Sequence, residues 1–307
     1  MSAIIDRILN TLGDKELLNK ILSMPKSDLN SLLLKIFQLQ ANKTTPSHVI
    51  KTYKSNRFSR PSEIDPVKYH MVETEFLSFA QKNNIKAVLL SPSAPLASCS
   101  TFGCVDQNNV VSAIRDSEIL ADPSNMLSII IADKLMRKEL SNQKCIHFCT
   151  TARILRAQPL LDIKGFYPHF GLFCIVSSGK DKGSYLCEKE LLLKHLVYYK
   201  ALLTEKYDAK LSVVLRKRRG YTDNDGFFSR MTEIIRNEFP DIPVSLDLEQ
   251  EENNYYKGLN FKLYMEKNNE KFEIGDGGFV DWMTKMTNNR KERCLISAVG
   301  IDRLLTF

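Results

Sequence analysis

Apolar residues in the first 45 positions recur with the period of an α-helix. Three groups each fall on one helical face: Ile4, Ile5, Ile8, Leu9 and Leu12; Leu17, Leu18, Ile21 and Leu22; and Leu29, Leu32, Leu33, Ile36 and Phe37. Gly13 and the segment 24–28 interrupt this pattern, and the polar segment 51–66 contains two prolines, which is typical of a linker or an extended arm. Residues 1–60 are therefore predicted to form a small helical appendage and a linker.

From residue 61 onward, helical periodicity alternates with short apolar runs typical of strands. Helices are predicted over 66–83, 123–140, 188–206, 225–237 and 280–286. Strands are predicted over 87–90, 110–114, 146–157, 170–177, 211–215, 259–265, 271–274 and 295–299. Tight connections between strands, interrupted by single helices, predict an α+β domain around an antiparallel sheet over residues 61–307.

The composition is that of an ordinary globular protein, with 43% hydrophobic and 26% charged residues. No apolar run is long enough to cross a membrane, and the N-terminus lacks the pattern of a signal peptide, so we expect a cytoplasmic protein without a membrane partner. Reduced thiols are expected for the seven cysteines. Cys145 and Cys149 share one predicted strand, and their spacing suits core packing better than a metal site.

The net charge of +7 is a mild excess. The basic run 216–219 is compatible either with a solvated strand end or with a contact to phosphate or RNA. Lys51, Lys54, Arg57 and Arg60 form a second basic group, in the predicted arm.

Three segments near the C-terminus carry a recognisable succession of motifs. They read YYKGLNF at 255–261, GDGGFVDW at 275–282 and AVGIDRLL at 298–305. Together they resemble the histidyl-type succession of a YYTG-x-x-F strand, a GGGRYD turn and a helix start with glycine, an acidic residue and arginine. The chain is thus similar to the class II aminoacyl-tRNA synthetases, and within them to histidyl-tRNA synthetase. That resemblance implies an antiparallel sheet flanked by helices.

The segments RILRAQ at 153–158 and KGFYPHF at 164–170 resemble the second motif of these enzymes, an FR-x-E strand followed by KGRYRQF. The resemblance implies that Arg156 binds the α-phosphate of ATP and the substrate carboxylate. It implies that Phe170 stacks on adenine, and that His169 helps to read the adenine edge.

The third motif implies that Gly300 lets adenosine approach the backbone and that Arg303 binds the γ-phosphate. Arg156 and Arg303 are thus the candidate catalytic residues. In the turn expected over 275–278, Gly277 and Gly278 are candidates for close approach to the substrate.

The helix predicted at 69–81 and the strand at 86–92, which contains Pro92, resemble the first motif more faintly. In the family this motif builds a homodimer interface, so a homodimer is implied. The segment LADPSN at 120–125 stands where the family has LRPEGT, a loop that contacts the amino acid. Candidate substrate-binding residues are Glu118, Asp122, Ser124 and Tyr255.

Several positions depart from the family pattern. Gln158 replaces the second-motif glutamate, Pro168 replaces an arginine, and the segment 251–254 reads EENN where the histidyl type has its substrate arginine. The acidic residues Glu249, Glu251 and Glu252 suit a cationic amino group or a solvated surface. Since the sequence ends at Phe307, directly after the third motif, we expect no anticodon-binding domain and no ordinary charging of histidine tRNA.

The resemblance implies ATP and Mg²⁺ as cofactors and an activity that forms the adenylate of an amino acid or related carboxylic acid. The acceptor would be a small amine, a carrier protein, a protein lysine or a tRNA fragment. A non-catalytic paralogue like the regulatory subunit of histidine biosynthesis is the alternative. The retained arginines at 156 and 303 favour activation, and the departures favour the regulator. An RNA-binding module that uses the two basic groups is a third hypothesis.

Overall fold

A computed structural model describes residues 3–140, 142–159, 167–248 and 255–305. Its helices are α1 (Ala3–Leu12), α2 (Leu17–Leu22), α3 (Lys26–Ala41), α4 (Pro46–Ser55), α5 (Pro66–Lys82), α6 (Ser98–Gly103), α7 (Pro123–Met136), α8 (Leu186–Tyr207), α9 (Asn224–Glu238), α10 (Trp282–Thr287) and α11 (Ile301–Leu304). Its strands are β1 (Lys86–Ala87), β2 (Ser93–Pro95), β3 (Ser112–Ala113), β4 (Ser117–Ile119), β5 (Cys145–Leu155), β6 (His169–Lys180), β7 (Lys210–Lys217), β8 (Val244–Asp247), β9 (Lys257–Lys267), β10 (Glu270–Val280) and β11 (Glu292–Gly300).

The main sheet has eight strands in the order β1-β5-β6-β11-β10-β9-β7-β8. Its central pairs are antiparallel, and only the edge pairs β1–β5 and β7–β8 are parallel. The strands β2, β4 and β3 form a small second sheet. The predicted α+β fold around an antiparallel sheet is confirmed.

Helices cover both faces of the main sheet. On one face, called here the α8 face, strand residues such as Phe173 and Val299 pack against α5, α8 and α9. On the other, called the α7 face, residues such as Leu172 and Cys174 pack against α7 and α10. Because both faces are covered, the central strand β6 is buried from Gly171 to Gly179 without the polar alternation of a half-exposed strand.

The structure corrects the expected glycine turn. Residues 275–278 lie inside the continuous strand β10, paired on both sides. A Cβ atom at Gly275 would lie 2.0 Å from the carbonyl oxygen of Ala298 on β11, so this glycine permits close strand packing instead of a turn.

The appendage is more helical than expected. The helix α4 extends into the predicted linker as far as Ser55. It begins where the Thr45 hydroxyl accepts a hydrogen bond from the His48 N–H and Pro46 stands at the first helical position. Within residues 3–55, Leu9 is the one buried side chain, and the apolar residues of α3 stay largely exposed. None of the described helices is long and apolar enough to span a membrane.

Candidate functional site

A cavity of about 260 Å³ opens on the α7 face. It lies between the N-terminus of α7, the end of β5 and the strands β10 and β11. The polar groups that line it include those of Asp122, Ser124, Asn125, Arg156, Tyr255 and Asp276. The cavity wall therefore combines residues that the sequence analysis identified as candidates with others, such as Asn125 and Asp276, that it did not.

Asp122 is fixed at the start of α7. Its Oδ1 atom accepts hydrogen bonds from the Ser124 N–H at 2.9 Å and the Ser124 hydroxyl at 2.6 Å. Its Oδ2 atom accepts from the Tyr255 hydroxyl at 3.1 Å. The local sequence explains this arrangement, since aspartate followed by proline is a favoured helix start. The structure thus brings three predicted substrate-binding residues together at the cavity.

Arg156 follows β5 directly and lies at the cavity wall. Its backbone N–H donates to the Pro168 carbonyl at 2.8 Å, and its Nε–H donates to the Ala121 carbonyl at 3.0 Å. Its guanidinium carbon lies 5.3 Å from the ring centroid of Phe170. These contacts hold the guanidinium beside an aromatic ring whose strand position faces the cavity side of the sheet.

Arg303 reaches the same face from another part of the chain. Gly300 pairs with Leu172 and, by strand alternation, faces the α7 side. A Cβ atom at Gly300 would lie 3.5 Å from Cγ of Arg303, so the Arg303 side chain crosses this face. Its Nη1 donates to the Glu273 carbonyl at 3.1 Å. Phe170, Gly300 and the two arginines thus share one side of the sheet.

His169 does not join this group. Successive residues of a strand point to opposite faces, so His169 lies on the side away from Phe170. There its Nδ1 accepts from Nε of Arg153 at 2.9 Å, and its Nε2 lies 2.6 Å from the carbonyl oxygen of Arg60. The structure therefore places His169 between the sheet and the N-terminal arm, away from the expected adenine edge.

Glu118 is also used elsewhere. Its fully buried carboxylate accepts hydrogen bonds from the backbone N–H groups of Ala97 and Cys99 and from the side-chain amide of Gln107. These contacts fix the start of α6, and Glu118 is absent from the cavity wall. Its position supports a structural role in place of the predicted substrate contact.

The two candidate glycines lie beside the cavity without lining it. A Cβ atom at Gly277 would approach Phe261 to 2.5 Å on the α8 face. One at Gly278 would lie 2.5 Å from the ring of Tyr256 and 2.8 Å from Cβ of Asn260. Close packing against the protein's own side chains therefore explains why both positions are glycine.

Sequence reasoning missed Asp276. Burial raises the pKa of its carboxyl group above the ordinary value, the negative charge of Asp122 adds to this, and a hydrogen bond from Tyr256 opposes it. Strand periodicity could have identified Asp276, because on a strand it projects to the same face as Gly278. Because residues 275–278 were expected to form a turn, strand periodicity was not applied to them.

Asn125 was also missed. Its side chain is 1% exposed, and its Oδ1 atom has no hydrogen-bond partner among the described residues. Its Nδ2 atom lies 3.4 Å from the sulfur of Cys99. A buried acceptor without a donor is uncommon in proteins, and this one belongs to the cavity wall.

The basic run 216–219 is largely neutralised within the chain. Arg216 pairs with Asp247 at 2.8 Å, and Lys217 pairs with Asp225. Nε of Arg218, a buried residue, donates to the side chain of Asn260 at 2.7 Å. These contacts weaken the case for RNA binding through this run. The acidic positions 249, 251 and 252 lie outside the described residues.

Comparisons with known proteins identify the fold. No family model and no curated protein matches the sequence. Solved structures do match. Staphylococcus aureus histidyl-tRNA synthetase is 16% identical with a TM-score of 0.57, over 82% of this chain and 68% of that one. The chain has the catalytic fold of the class II aminoacyl-tRNA synthetases.

Two further class II structures extend this likeness. An Aeropyrum pernix threonyl-tRNA synthetase has a TM-score of 0.62 and 12% identity over 78% of this chain, which spans 58% of that structure. A Bacillus halodurans protein described as an ATP phosphoribosyltransferase regulatory subunit/histidyl-tRNA synthetase has a TM-score of 0.60 and 10% identity, over 81% of this chain and 83% of that one. The class II fold thus accommodates a protein described as regulatory as well as synthetases.

Proposed function

We propose that this protein binds ATP with Mg²⁺ and activates an amino acid or related carboxylic acid as its adenylate, for transfer to an acceptor other than the usual tRNA. The observation that supports this proposal is that Arg156, Phe170 and Arg303 lie on one face of the sheet, where Arg156 also lines the cavity. We place this activity in the cytoplasm, where ATP is available.

The residues present fit a nucleotide. The Phe170 ring offers a stacking surface for adenine, and Gly300 leaves the backbone open beside it. Arg156 would contact the α-phosphate and Arg303 the γ-phosphate, since a guanidinium is always charged and matches phosphate geometry. Among the described residues no group of three or more His, Cys, Asp or Glu side chains is arranged to hold a metal. Mg²⁺ would therefore enter with the triphosphate, which suits an ion that keeps several water ligands.

The reaction needs no nucleophilic side chain. A carboxylate oxygen of the acid forms a bond to the α-phosphorus, and the bond from that phosphorus to the oxygen bridging to the β-phosphate breaks. The products are the acyl-adenylate and pyrophosphate. Arg156 would orient the carboxylate and offset the charge that develops at the α-phosphorus, a form of catalysis based on positioning and preorganised charge.

ATP–pyrophosphate exchange with pooled amino acids tests this proposal. We expect exchange by the wild type and a loss of about 100-fold or more in Arg156→Ala, because one preorganised charged donor contributes on that order. Arg137→Ala is the matched control, since Arg137 lies at the end of α7 and pairs with Asp133. Equal exchange in wild type and Arg156→Ala would overturn the assignment of Arg156.

A regulatory role is the second candidate. It is favoured by the likeness to the Bacillus halodurans protein and by Gln158 and Pro168, which depart from the second motif. ATP binding without exchange for any amino acid would support it over activation. A protein that binds no ATP would contradict the proposed nucleotide site.

We also propose a homodimer through the first-motif region. Among the described strands, β1 lies at an edge of the main sheet and pairs with β5 alone. The adjoining Leu89 is 95% exposed, and α5 exposes Val67 and Met71, each at 66%. Large apolar side chains exposed on the elements of the first motif are the kind of surface that a protein–protein contact covers.

A further inference from the structure

Among the residues that the structure describes, the charges that line the cavity do not balance. Asp122 and Asp276 supply two carboxylates, and Arg156 supplies one guanidinium. The two carboxylates repel each other, since the charge of Asp122 raises the pKa of Asp276. Both carboxylates are half-buried, and carboxylates withdrawn from bulk water are normally paired with a positive charge, so this wall is complementary to a ligand that brings positive charge.

Among the described residues, neither of the neighbouring cations Lys262 and Arg156 forms an ion pair with Asp122 or Asp276. Lys262 is the cross-strand neighbour of Asp276, but its Nζ lies 2.7 Å from a carboxylate oxygen of Glu273. Arg156 donates to the Ala121 carbonyl and lies against the Phe170 ring. Neither contact places a cation between Asp122 and Asp276.

The hydrogen-bonding groups of the wall point to the same kind of ligand. The Oδ1 atom of Asn125 is a buried acceptor without a donor among the described residues. That atom has almost no accessible surface, so the acceptors that the cavity presents are the carboxylates of Asp122 and Asp276. An ammonium group, with three N–H donors and no acceptor, is the functional group that such a wall binds best.

We propose that the activated acid is a small diamino acid of the lysine and ornithine type, with a second ammonium group on its side chain. This inference rests on the proposed function for the role of the acid, and on the cavity for its charge. The carboxylate of the ligand lies toward Arg156, and its two ammonium groups pair with Asp122 and Asp276. A cavity of about 260 Å³ suits a molecule of amino-acid size, since pockets for drug-sized ligands measure roughly 300–1,000 Å³.

Binding measured by calorimetry without ATP tests the ligand class. The probes are lysine and ornithine, compared with norleucine and norvaline, which lack only the side-chain amino group. We expect lysine or ornithine to bind the wild type at least ten-fold more tightly than its uncharged counterpart. Histidine, whose imidazole is mainly neutral at pH 7.5, is expected to bind weakly by comparison.

Asp276→Asn tests the residue, because it removes the charge and keeps the shape. We expect it to reduce the preference for lysine over norleucine at least ten-fold. Asp241→Asn is the control, since Asp241 pairs with Lys200 at 2.8 Å on the surface. The comparison of ligands on the wild type needs no variant, so it remains decisive if Asp276→Asn does not fold.

Norleucine binding as tightly as lysine, or histidine binding more tightly than both, would overturn this inference. An unchanged preference in folded Asp276→Asn would also overturn it. Exchange with a neutral amino acid would contradict the diamino acid and leave adenylation standing. Lysine binding without exchange would contradict adenylation and leave the diamino acid standing as the ligand.

Discussion

At the scale of single residues, Gly278 and Gly300, two glycines of the synthetase-like motifs, have different surroundings. The space that a Cβ atom at Gly278 would need is filled by Tyr256 and Asn260. The corresponding space at Gly300 has only the flexible side chain of Arg303 nearby, at 3.5 Å. Gly278 is thus required by the fold itself, whereas Gly300 leaves room on the proposed nucleotide face.

Gly278→Ala and Gly300→Ala should therefore behave differently. We expect Gly278→Ala to lower the free energy of unfolding by about 1–3 kcal/mol, because it overpacks a buried contact. Gly300→Ala should leave the free energy of unfolding nearly unchanged and weaken ATP binding. Chemical denaturation and ATP titration of both variants check this. A Gly300→Ala protein that binds ATP normally would speak against adenosine lying over residue 300.

Residues 169, 170 and 276 show how far sequence reasoning reached at this scale. A motif resemblance identifies positions one by one, but it does not state which face of the sheet each residue occupies. Phe170 and His169 are neighbours in the motif, yet they point to opposite faces because the strand alternates. Asp276 was overlooked because its glycine-rich segment was expected to turn, and a turn has no fixed face.

At the scale of elements, a chain of hydrogen bonds joins β5, β6, α8 and β11 beneath the sheet. His147 Nδ1 lies 2.7 Å from the Ser177 hydroxyl, which lies 2.8 Å from His195 Nε2. His195 Nδ1 lies 2.8 Å from the Ser297 hydroxyl, which also contacts the Tyr199 hydroxyl at 2.8 Å. These contacts supply the buried polar groups with partners and fix α8 against three strands.

This network makes stability depend on pH. Burial lowers the pKa of His147 to about 4 and that of His195 well below its ordinary value. The unfolded chain, with histidine pKa values near roughly 6.5, binds more protons below that pH than the folded chain does. We therefore expect full stability above about pH 7, and a loss of about 1.4 kcal/mol per pH unit for each histidine as the pH falls from 6.5 toward 5.

Urea denaturation at pH 7, 6 and 5 checks this expectation. His147→Asn keeps a side-chain nitrogen toward Ser177 and should remove roughly half of the pH dependence. His48→Asn alters an exposed residue of α4 and is the matched control. A pH dependence that is the same in His147→Asn and wild type would contradict the role assigned to His147.

At the scale of the whole molecule, the sheet brings together motif segments that are far apart in the chain. The strands β5, β6, β11, β10 and β9 are consecutive neighbours, and the described segments of the second and third motifs lie on these strands or directly beside their ends. The first motif lies at the β1 edge of the same sheet. One sheet therefore positions both the proposed nucleotide site and the proposed dimer contact.

Leu89→Asp tests the dimer. A carboxylate in an apolar contact is costly, so we expect the variant to be a monomer at concentrations where the wild type is a dimer. Leu22→Asp is the control, because Leu22 is also exposed, at 66%, but lies in the appendage. Sedimentation velocity over a range of concentrations distinguishes the two states. A wild type that remains monomeric, or dissociation caused only by Leu22→Asp, would contradict the assigned interface.

The sequence by itself determined the class of fold and most of the long helices and strands, because apolar periodicity and helix caps such as Asp122-Pro123 act within a few residues. The ordered motifs also pointed to Arg156, Phe170 and Arg303. Only the tertiary structure decided that Glu118 and His169 are engaged elsewhere and that Asp276 and Asn125 belong to the cavity. The reason is that the face of a strand residue, and the partner that satisfies a buried polar group, depend on contacts between segments far apart in the chain.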